Sequence, residues 1–522
     1  MTEFDAIVVG SGINGLVAAA ELGRAGWSVL LLERNADIGG FIATEERTLP
    51  GYLHDTYSSW HPPFVSGDAH ASLGEDLRAH GLEYRNTDGW LTGSVAFDGR
   101  VTLAHRDPSK TDFALPEDRA AYLAMLERIG AVMAPIGRLL GGEPRSSALP
   151  RAALGLLRSS GRAGAERWLR AAVTSGRAFC ASEFGGPEVD HLWAPWLLHA
   201  GLSPDSASGG LMVPLQAGLL HAAGLPVVAG GAGQFLAAFR SLLGSLGVRI
   251  ETGAEVERIL VEGGRVTGVV AGETFRARRA VLASVTPTAL YGQLLPAASV
   301  PAELRDQASR FRYGRGEMQI HVALSSPLDW HDSRLGEVPL FHLSDGSAST
   351  AIACAEAEAG LLPRRPTVVV GQQHVLDPSR VPAGAAALWL QLQELPFRPL
   401  GDAGDELSTD DGWTPALANA FADRVLARIA RHAPDLRDKV LAVDVVTPAD
   451  LAAYNVNAVN GDPYGGAGEL DQSYLWRPLP GSGRHATFVR GLWHIGASTH
   501  PGAGLGGGSG HVVASTLIRR RS

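Results

Sequence analysis

The sequence predicts an α/β fold that begins with a strand–helix–strand unit. Residues 6–9 (Ala-Ile-Val-Val) form a short apolar run, and residues 29–32 (Val-Leu-Leu-Leu) form a second one. Uninterrupted runs of this kind suit parallel strands that are buried on both faces. Between them, residues 16–22 favour a helix that ends near Gly26. Together the three elements predict a βαβ unit at the N-terminus.

The turn between the first strand and the helix carries the motif Gly10-Ser11-Gly12-Ile13-Asn14-Gly15. In a βαβ unit, the first glycine allows a tight turn, the second lets the backbone approach a pyrophosphate, and the third lets the helix pack closely on the strand. The free N–H groups at the start of the helix attract phosphates. Glu33 ends the second strand, where it can accept hydrogen bonds from a ribose diol and repel a 2′-phosphate, which disfavours NADP. The predicted Rossmann-type dinucleotide site comprises Gly10, Gly12, Ile13, Asn14, Gly15 and Glu33.

The residues after Glu33 favour one dinucleotide over the others. Arg34 follows the acid directly, and the pair Gly39-Gly40 comes a short step later. This arrangement resembles the extended fingerprint of the glutathione-reductase-like flavoproteins with amine-oxidase-type sheets. The resemblance implies that the cofactor is FAD and that Arg34, Gly39 and Gly40 lie close to it. An NAD-binding enzyme without flavin is the alternative.

The rest of the chain predicts two parts that interrupt the FAD-binding fold. Residues 115–220 favour helices, residues 248–283 favour short strands, and residues 296–443 mix both. We therefore expect a helical subdomain and an interleaved α+β substrate domain. The expected segments are 1–75, 226–295 and 446–522 for FAD binding, 76–225 for the helical substrate- or membrane-facing part, and 296–445 for the substrate domain.

Charge and cysteine content narrow the partners and the compartment. The chain has 522 residues and a formal net charge of −9 at pH 7, and a negative field repels the nucleic-acid backbone. We therefore expect no nucleic-acid partner. Cys180 and Cys354 lie too far apart in sequence for a C-x-x-C redox pair and suit a reducing cytoplasm. The sequence leaves the oligomeric state open.

Two segments bear on contact with a membrane. Residues 206–239 carry no Asp, Glu, Lys or Arg, but their prolines and glycines would interrupt a spanning helix, so we expect them to wall the substrate pocket. Residues 151–177 combine leucines and a tryptophan with six arginines. This composition suits either a solvated helical face or a peripheral contact with an anionic membrane surface.

Further strings along the chain resemble the phytoene desaturase family. They are residues 50–55, 226–236, 253–259, 377–384, 460–462 and the glycine-rich string 496–504. The match includes the non-carotenoid branch, the pyridine nucleotide-disulfide oxidoreductase domain-containing proteins. The resemblance implies that the backbone of Val256 contacts the adenine. It also implies that a turn containing Gly496, Ala497, Gly504 and Leu505 reaches the ribityl chain and the flavin ring.

The same C-terminal turn departs from the family in one respect. Residues 505–508 read Leu-Gly-Gly-Gly, where carotenoid desaturases usually have an apolar residue followed by Gly-Pro-Gly. The departure argues against a carotenoid substrate. The helix that follows is expected to point its positive end at the flavin, which would favour the reduced form.

Catalysis by a flavin enzyme needs a hydride acceptor, which the cofactor supplies, and in some reactions a protein base. The candidate catalytic residues are Tyr57, His61, Glu317, His321 and His500. His500 belongs to the motif nearest the ring, while Glu317 and His321 are spaced to share one face of a strand. The sequence shows neither metal-ligand spacing nor a Ser-His-Asp arrangement, so we expect no metal.

These patterns predict an FAD-dependent oxidoreductase that dehydrogenates a largely apolar small molecule by hydride transfer to the flavin. Family resemblance favours C–C desaturation of a polyene, terpenoid or polyketide-like molecule, with amine or alcohol oxidation as the second interpretation. Convergence of Tyr57, Trp60 and Trp476 into a cation-binding cage would favour an amine. A flavin-dependent isomerase without net redox chemistry, or a binding module, is the alternative of another class.

We expect the substitution Glu33→Ala to give a protein that is purified largely without flavin. A hydrogen bond to a charged group contributes about 1.5–3 kcal/mol, and the substitution removes the acceptor for the ribose hydroxyls. The ratio of visible to ultraviolet absorbance of the purified protein measures the occupancy. Normal FAD occupancy in this variant would contradict the assignment.

Overall fold

The computed structural model describes residues 3–519 and contains two seven-stranded sheets joined by helices and three short two-stranded ribbons. The strands are β1 (Glu3–Val9), β2 (Val29–Leu32), β3 (Thr44–Glu45), β4 (His54–Asp55), β5 (Tyr84–Arg85), β6 (Trp90–Val95), β7 (Val101–His105), β8 (Val227–Val228), β9 (Arg249–Glu251), β10 (Arg258–Glu262), β11 (Arg265–Ala271), β12 (Glu273–Ser284), β13 (Gly316–Leu324), β14 (Leu340–Leu343), β15 (Leu361–Leu362), β16 (Val368–Gly371), β17 (Ala386–Leu395), β18 (Gly401–Asp402), β19 (Val440–Val446) and β20 (Leu492–Ile495). The helices are α1 (Ile13–Arg24), α2 (Pro62–Val65), α3 (Asp68–Ala79), α4 (Pro116–Leu140), α5 (Ala148–Val173), α6 (Gly176–Glu183), α7 (Glu188–Trp193), α8 (Gly209–Ala223), α9 (Gly233–Ser245), α10 (Pro287–Ala289), α11 (Ala302–Ser309), α12 (Ser347–Glu358), α13 (Pro415–Ala430), α14 (Leu436–Lys439), α15 (Pro448–Tyr454) and α16 (Gly508–Arg519).

The first sheet has the strand order β10-β11-β12-β1-β2-β9, with β20 beside the C-terminal half of β12. β12, β1, β2 and β9 run parallel, and β1 pairs with β2 from Ala6↔Val29 to Val9↔Leu32. Both strands are buried on both faces, as their apolar runs predict. The predicted βαβ unit is therefore confirmed, and this sheet collects strands from three separate stretches of the chain.

The second sheet has the order β19-β13-β17-β16-β14-β6-β7 and is antiparallel except where β14 meets β6. Its strands β6 and β7 come from the segment that the sequence predicted to be largely helical. Both are short, and β6 carries Gly93 and Ser94 at buried positions, so its apolar pattern is weak. Pairing with β14, far along the chain, makes these residues a strand.

Helices α4 to α8 form a helical part between residues 116 and 223. α4 packs against α5 and α8 and buries Tyr122, Met125, Ile129 and Val132, with the spacing of one helical face. Within residues 3–519, α4 is the helix whose length and composition would suffice to cross a bilayer. The charge-free stretch 206–239 is instead divided among α8, β8 and the first part of α9, as its glycines and prolines predict.

A buried ion pair joins the β3–β4 ribbon to the turn that precedes β17. Asp55 belongs to the first FAD-binding segment, and its Oδ2 accepts a hydrogen bond from Arg380 Nη1 of the substrate domain at 2.6 Å. The same carboxylate accepts hydrogen bonds from Thr44 Oγ1 and from the N–H of Ala232, each at 2.7 Å. Burial alone would raise the pKa of Asp55, but the guanidinium and the hydrogen bonds outweigh it and hold the pKa below its usual value.

We expect Arg380→Met to lower the free energy of unfolding by about 3–5 kcal/mol, because it leaves the Asp55 carboxylate buried without its partner. Urea unfolding of the purified protein measures the loss. The matched control is Arg78→Met, since Arg78 is 76% exposed and its pair with Glu75 contributes roughly 0–1 kcal/mol.

The loss of stability in Arg380→Met should depend on pH, and the depressed pKa of Asp55 determines in which direction. Because the pKa of Asp55 is depressed in the folded protein, the pair contributes fully above the ordinary pKa of 3.8 and loses its contribution as the pH falls through the folded value. The stability difference between wild type and Arg380→Met should therefore narrow on acidification. A difference that stays constant down to acid unfolding would contradict this role.

Candidate active site

Two cavities meet beside the carboxyl ends of β1 and β12. We call the larger, of about 580 Å³, the sheet-edge cavity, and the smaller, of about 220 Å³, the inter-sheet cavity. In a parallel α/β sheet this edge is where ligands bind. The two cavities are continuous, and the residues that line both are Gly12, Gly40, Ser284, Val285, Asn455 and Asn457.

The glycine-rich turn has the shape that a bound diphosphate requires. Gly10 adopts a φ of 90°, and a Cβ atom on Gly15 would overlap the carbonyl oxygen of Gly10, so α1 can start this close to β1 only with glycine there. A Cβ atom on Gly12 would meet no protein atom within 4 Å, because Gly12 faces the cavities. Ile13 and Asn14 line the inter-sheet cavity beside it. The open space lies against the N-terminus of α1, which favours an anionic group.

Glu33 is held at the rim of the sheet-edge cavity. Its Oε2 accepts hydrogen bonds from the N–H and Oγ of Ser11, at 3.0 and 2.6 Å, and its Oε1 accepts one from the N–H of Asn35 at 2.9 Å. A carboxylate has about four acceptor positions, so it keeps capacity for a sugar hydroxyl. Arg34 also lines this cavity, and within the described residues its buried Nη1 has no hydrogen-bond partner. A ligand acceptor at this position would satisfy that donor.

The far wall of the sheet-edge cavity is formed by residues 254–257, which precede β10 without joining the sheet. Val256 lies in this wall, and within residues 3–519 its backbone takes no backbone–backbone hydrogen bond. A free N–H and C=O on an extended segment suit the edge of an adenine ring. This placement agrees with the contact that the family resemblance implies for Val256.

The turn after β20 forms one wall of the inter-sheet cavity with Gly496, Ala497, Gly504 and Leu505. The N–H of Gly496 donates to Ser509 Oγ at 2.9 Å, and Ser509 Oγ donates to Asn14 Oδ1 at 2.8 Å. These bonds hold the start of α16 beside the start of α1. Two helix N-termini therefore converge on the cavities, which concentrates partial positive charge there. Gly39 and Gly40 close the same region, with the Gly39 N–H donating to Ser11 Oγ at 3.1 Å.

Arg477 connects the turn 496–505 to Tyr464, which also lines the inter-sheet cavity. Its guanidinium is buried and donates to the carbonyl oxygens of Ala497 and Tyr464, at 2.8 and 3.0 Å. Burial lowers the pKa of Arg477 to about 10, so the group stays cationic at neutral pH. Sequence patterns do not indicate this role, because Arg477 belongs to none of the motifs and acts through backbone carbonyls.

A buried carboxyl faces the same cavity from the second sheet. Glu317 and Gln319 on β13 and Gln391 on β17 line the inter-sheet cavity. Glu317 Oε1 accepts hydrogen bonds from Gln319 Nε2, at 2.6 Å, and from Gln391 Nε2. Burial raises the pKa of Glu317 to about 8, although both glutamine amides act in the opposite direction. The carboxyl is therefore placed to exchange a proton near neutral pH.

Aromatic rings form the third wall. Phe41 and Tyr57 line the inter-sheet cavity, and the ring of Tyr57 stacks on that of Tyr454 with centroids 4.7 Å apart. Burial raises the pKa of the Tyr57 hydroxyl, so it stays protonated. Trp60 packs in the core of the helical part, and Trp476 lies half exposed outside both cavities. The three-residue cage that would favour an amine is therefore absent from the described structure, and Tyr57 alone of the three reaches the cavity.

The three histidines proposed for catalysis lie elsewhere in the described structure, outside the residues that line the two cavities. His61 is buried with its Nδ1 3.0 Å from Tyr84 Oη, and burial lowers its pKa to about 4. His321 shares the β13 face with Glu317 but lies 3.5 Å from Asp444. His500 is buried with its ring 5.3 Å from that of Tyr474. Of the five predicted catalytic residues, the structure brings Tyr57 and Glu317 together.

Some lining residues carry no recognisable motif. Ser284 is the last residue of β12 and Val285 follows it, and Asn457 Nδ2 donates to the carbonyl oxygen of Ser284 at 3.1 Å. The position of Ser284 at the end of a strand parallel to β1 could have identified it, because such strand ends meet at one edge of the sheet. Asn455 and Asn457 follow α15 and reach the site only through the tertiary fold.

Comparison with known proteins places this geometry in a family. The family model described as flavin containing amine oxidoreductase matches residues 13–370. The chain belongs to this family. The open space at Gly12, the unpaired donor of Arg34 and the two continuous cavities fit the family's cofactor, FAD.

This flavin-dependent oxidoreductase is similar along nearly its whole length to curated proteins that include the following two. It is 27% identical to pyridine nucleotide-disulfide oxidoreductase domain-containing protein 2 of Rattus norvegicus, over 99% of this chain and 94% of that protein. It is 23% identical to a limonene dehydrogenase subunit of Castellaniella defragrans, over the same shares of the two chains. The resemblance predicted from the sequence is confirmed.

Among solved structures, the oxidoreductase is similar to cyclohexylamine oxidase from Brevibacterium oxydans. The TM-score is 0.63 at 18% identity, with 99% of each chain covered. At this identity the likeness shows the fold. The predicted α/β class, with an FAD-binding domain of the amine-oxidase kind, is confirmed, and the protein is a flavin-dependent oxidoreductase.

We expect Gly12→Val to weaken FAD binding without lowering the stability of the apoprotein. The valine would enter the open space against the N-terminus of α1, where no protein atom lies within 4 Å of its Cβ. Thermal unfolding of the apoprotein and titration with FAD measure the two effects. Gly15→Val is the contrasting variant, since its Cβ would overlap backbone and should destabilise the apoprotein itself. Unchanged FAD affinity in Gly12→Val would contradict the placement of the diphosphate.

Proposed function

We propose that this protein is an FAD-dependent dehydrogenase that removes two hydrogens from a C–C bond of a compact, mainly apolar molecule carrying one polar group. The observation that carries the proposal is that the inter-sheet cavity brings the turn 496–505 and the buried carboxyl of Glu317 to the same space. The turn supplies the wall for the flavin, and the carboxyl supplies a proton acceptor. This is the pair of functions that a C–C dehydrogenation needs.

The size and lining of the cavity support a compact substrate. The inter-sheet cavity has a volume of about 220 Å³, below the roughly 300–1,000 Å³ of typical ligand pockets, and part of it is needed for the cofactor. Phe41, Leu451 and Pro463 offer apolar surface, while Gln319 and Gln391 offer a few polar groups. A molecule of terpenoid size suits this space better than a long polyene. The similarity to a limonene dehydrogenase subunit supports the same substrate class.

Glu317 has a defined part in the proposed reaction. The chemistry that FAD supplies when bound is the acceptance of a hydride from one carbon of the substrate. The carboxylate of Glu317 takes the proton from the adjacent carbon, so the two electrons of that C–H bond form the C=C bond. The hydrogen bonds from Gln319 and Gln391 both end on Oε1, which leaves Oε2 to receive the proton. Arg477 and Asp462 fix the loop that carries Tyr464, whose hydroxyl accepts a hydrogen bond from Gln393 of the same sheet as Glu317.

Amine oxidation is the second candidate, and the aromatic wall favours it. An aromatic face attracts an ammonium group by about 0.5–2 kcal/mol, and Phe41 and Tyr57 both line the cavity. However, the rings of Tyr57 and Tyr454 stack on each other with centroids 4.7 Å apart, so no cation fits between them. A cyclic or aliphatic amine would have to bind against one ring face only.

We expect kcat/KM to rise with pH up to about 8 and to level off above it. Burial raises the pKa of Glu317 to about 8, and the proton acceptor is its carboxylate form. Glu317→Gln should lower kcat by about 10²–10⁴-fold and abolish this inflection while retaining the visible spectrum of bound FAD. Steady-state kinetics over pH 6 to about 9.5 with both proteins provide the measurement.

The matched control is Glu394→Gln. Glu394 is also buried, with its pKa raised to about 7, but it accepts a hydrogen bond from the Thr367 N–H and does not line the inter-sheet cavity. This variant should keep an inflection, moved to a somewhat lower pH, because the charge of Glu394 contributes to raising the pKa of Glu317. An unchanged pH profile in Glu317→Gln would refute the proposed proton acceptor.

Anaerobic mixing of the holoenzyme with candidate substrates distinguishes the function classes. Cyclic terpenes and terpenoid ketones should bleach the flavin absorbance and yield products lighter by two hydrogens. Bleaching by primary amines alone would favour the second candidate. Turnover of a substrate to an isomer without bleaching would contradict both and favour a flavin-dependent isomerase.

A further inference from the structure

The outer face of α5 combines exposed apolar side chains with unpaired positive charge. Four of the large apolar side chains that are exposed in the described structure lie on this one helix, with exposed fractions of 46% for Leu154 and Leu157, 68% for Leu169 and 59% for Val173. The helix also carries Arg151, Arg158, Arg162, Arg167 and Arg170, against the single acid Glu166. All six of these charged residues are exposed.

The two halves of α5 present these side chains in the same general direction. The helix bends at Gly161, whose φ is 68°. On either side of the bend the inner face packs against α4: Gly155 lies near Pro135 and Arg138, and Trp168 shares a core with Ile129. Leu154 and Leu157 are three residues apart, and Leu169 and Val173 are four apart, so each pair lies on one face of its half. Both pairs are exposed while the inner side chains contact α4, and we define this outer face as the α5 face.

We infer that the α5 face is a docking surface for an anionic lipid bilayer, a property that goes beyond the proposed reaction. The occupant follows from the charge. The chain as a whole carries −9, yet the described part of α5 carries five arginines and one glutamate, and no partner within the described residues neutralises those arginines. Leucine and valine flanked by arginine suit the boundary between lipid headgroups and acyl chains, where the apolar side chains leave water and the cations meet lipid phosphates.

Hydrogen bonds link the connection before α5 to the segment that holds the cofactor turn. Arg145, in the connection between α4 and α5, donates to the carbonyl oxygens of Leu475 and Pro480, at 3.3 and 2.7 Å. Within the same segment, Arg477 donates to Ala497 of the cofactor turn. A protein docked through α5 would therefore hold the inter-sheet cavity at a fixed position relative to the membrane. An apolar substrate dissolved in the bilayer is then close to its site.

Flotation of the FAD-loaded protein with lipid vesicles tests this inference. We expect binding to vesicles of phosphatidylcholine with phosphatidylglycerol, and little binding to vesicles of phosphatidylcholine alone. Neutralising Arg158, Arg162 and Arg170 together to Gln should weaken binding to the anionic vesicles about ten-fold or more. Leu169→Ser with Val173→Ser should also weaken it, because the exposed apolar side chains enter the lipid boundary.

Leu400→Ser is the matched control, since Leu400 is 78% exposed but lies between β17 and β18 and not on α5, and it should leave vesicle binding unchanged. Retained FAD absorbance and an unchanged melting temperature confirm that each variant is folded. Three outcomes would overturn the inference: equal binding to neutral vesicles, no effect of the α5 substitutions, or a dimer in solution that the α5 substitutions dissociate. The last outcome would make the α5 face an interface between copies of this chain.

Discussion

The structure around the active site depends on the buried pair Asp55–Arg380, which links strand β4 of the FAD-binding part to the turn before β17 of the second sheet. Neither side chain could be buried alone without a large desolvation cost. In the pair, the attraction between the Asp55 carboxylate, on the FAD-binding side, and the Arg380 guanidinium, on the substrate side, offsets this cost. Asp377 and the carbonyl oxygen of Val228 satisfy the remaining donors of Arg380. The network thus ties β4 and β8 to the turn that leads into β17, the strand that pairs with β13 and its Glu317.

The cofactor site was largely predictable from the sequence, because its physical requirements are local. A strand, a tight turn and a helix follow one another within residues 3–24. Gly10 and Gly15 are required by the geometry of the turn, and Gly12 leaves the space open for a ligand. The carboxylate of Glu33 follows at the end of the next strand. The position of Gly496 and Leu505 beside the cofactor site could be predicted only from family resemblance. Both residues are far along the chain from the motif 10–15, so no local pattern indicates that they line the same cavity.

The catalytic wall was predictable only in part. Periodicity predicted that Glu317 and His321 share one strand face, and the structure agrees. However, Glu317 lines the inter-sheet cavity, whereas the ring of His321 contacts the carbonyl oxygen of Asp55 and the carboxylate of Asp444. The alternation of side chains along a strand predicts which face of the sheet a residue occupies, but it does not predict where along the strand a cavity lies. The three histidines were candidates because the histidine side chain accepts and donates protons near neutral pH. In the fold they are desolvated core groups, and burial lowers the pKa of His61 to about 4, which suits a neutral structural ring.

The contact between Asn14 and Ser509 pairs residues 495 positions apart and completes the wall around the cofactor. During synthesis the first strand, turn and helix emerge well before their partner helix α16, since 495 positions separate Asn14 from Ser509. Domains generally form as units as the chain grows, and this one cannot close until α16 has been translated. We therefore expect a chain truncated before residue 508 to lose the bonds that hold Gly496 and Asn14 together, and with them the full cofactor site.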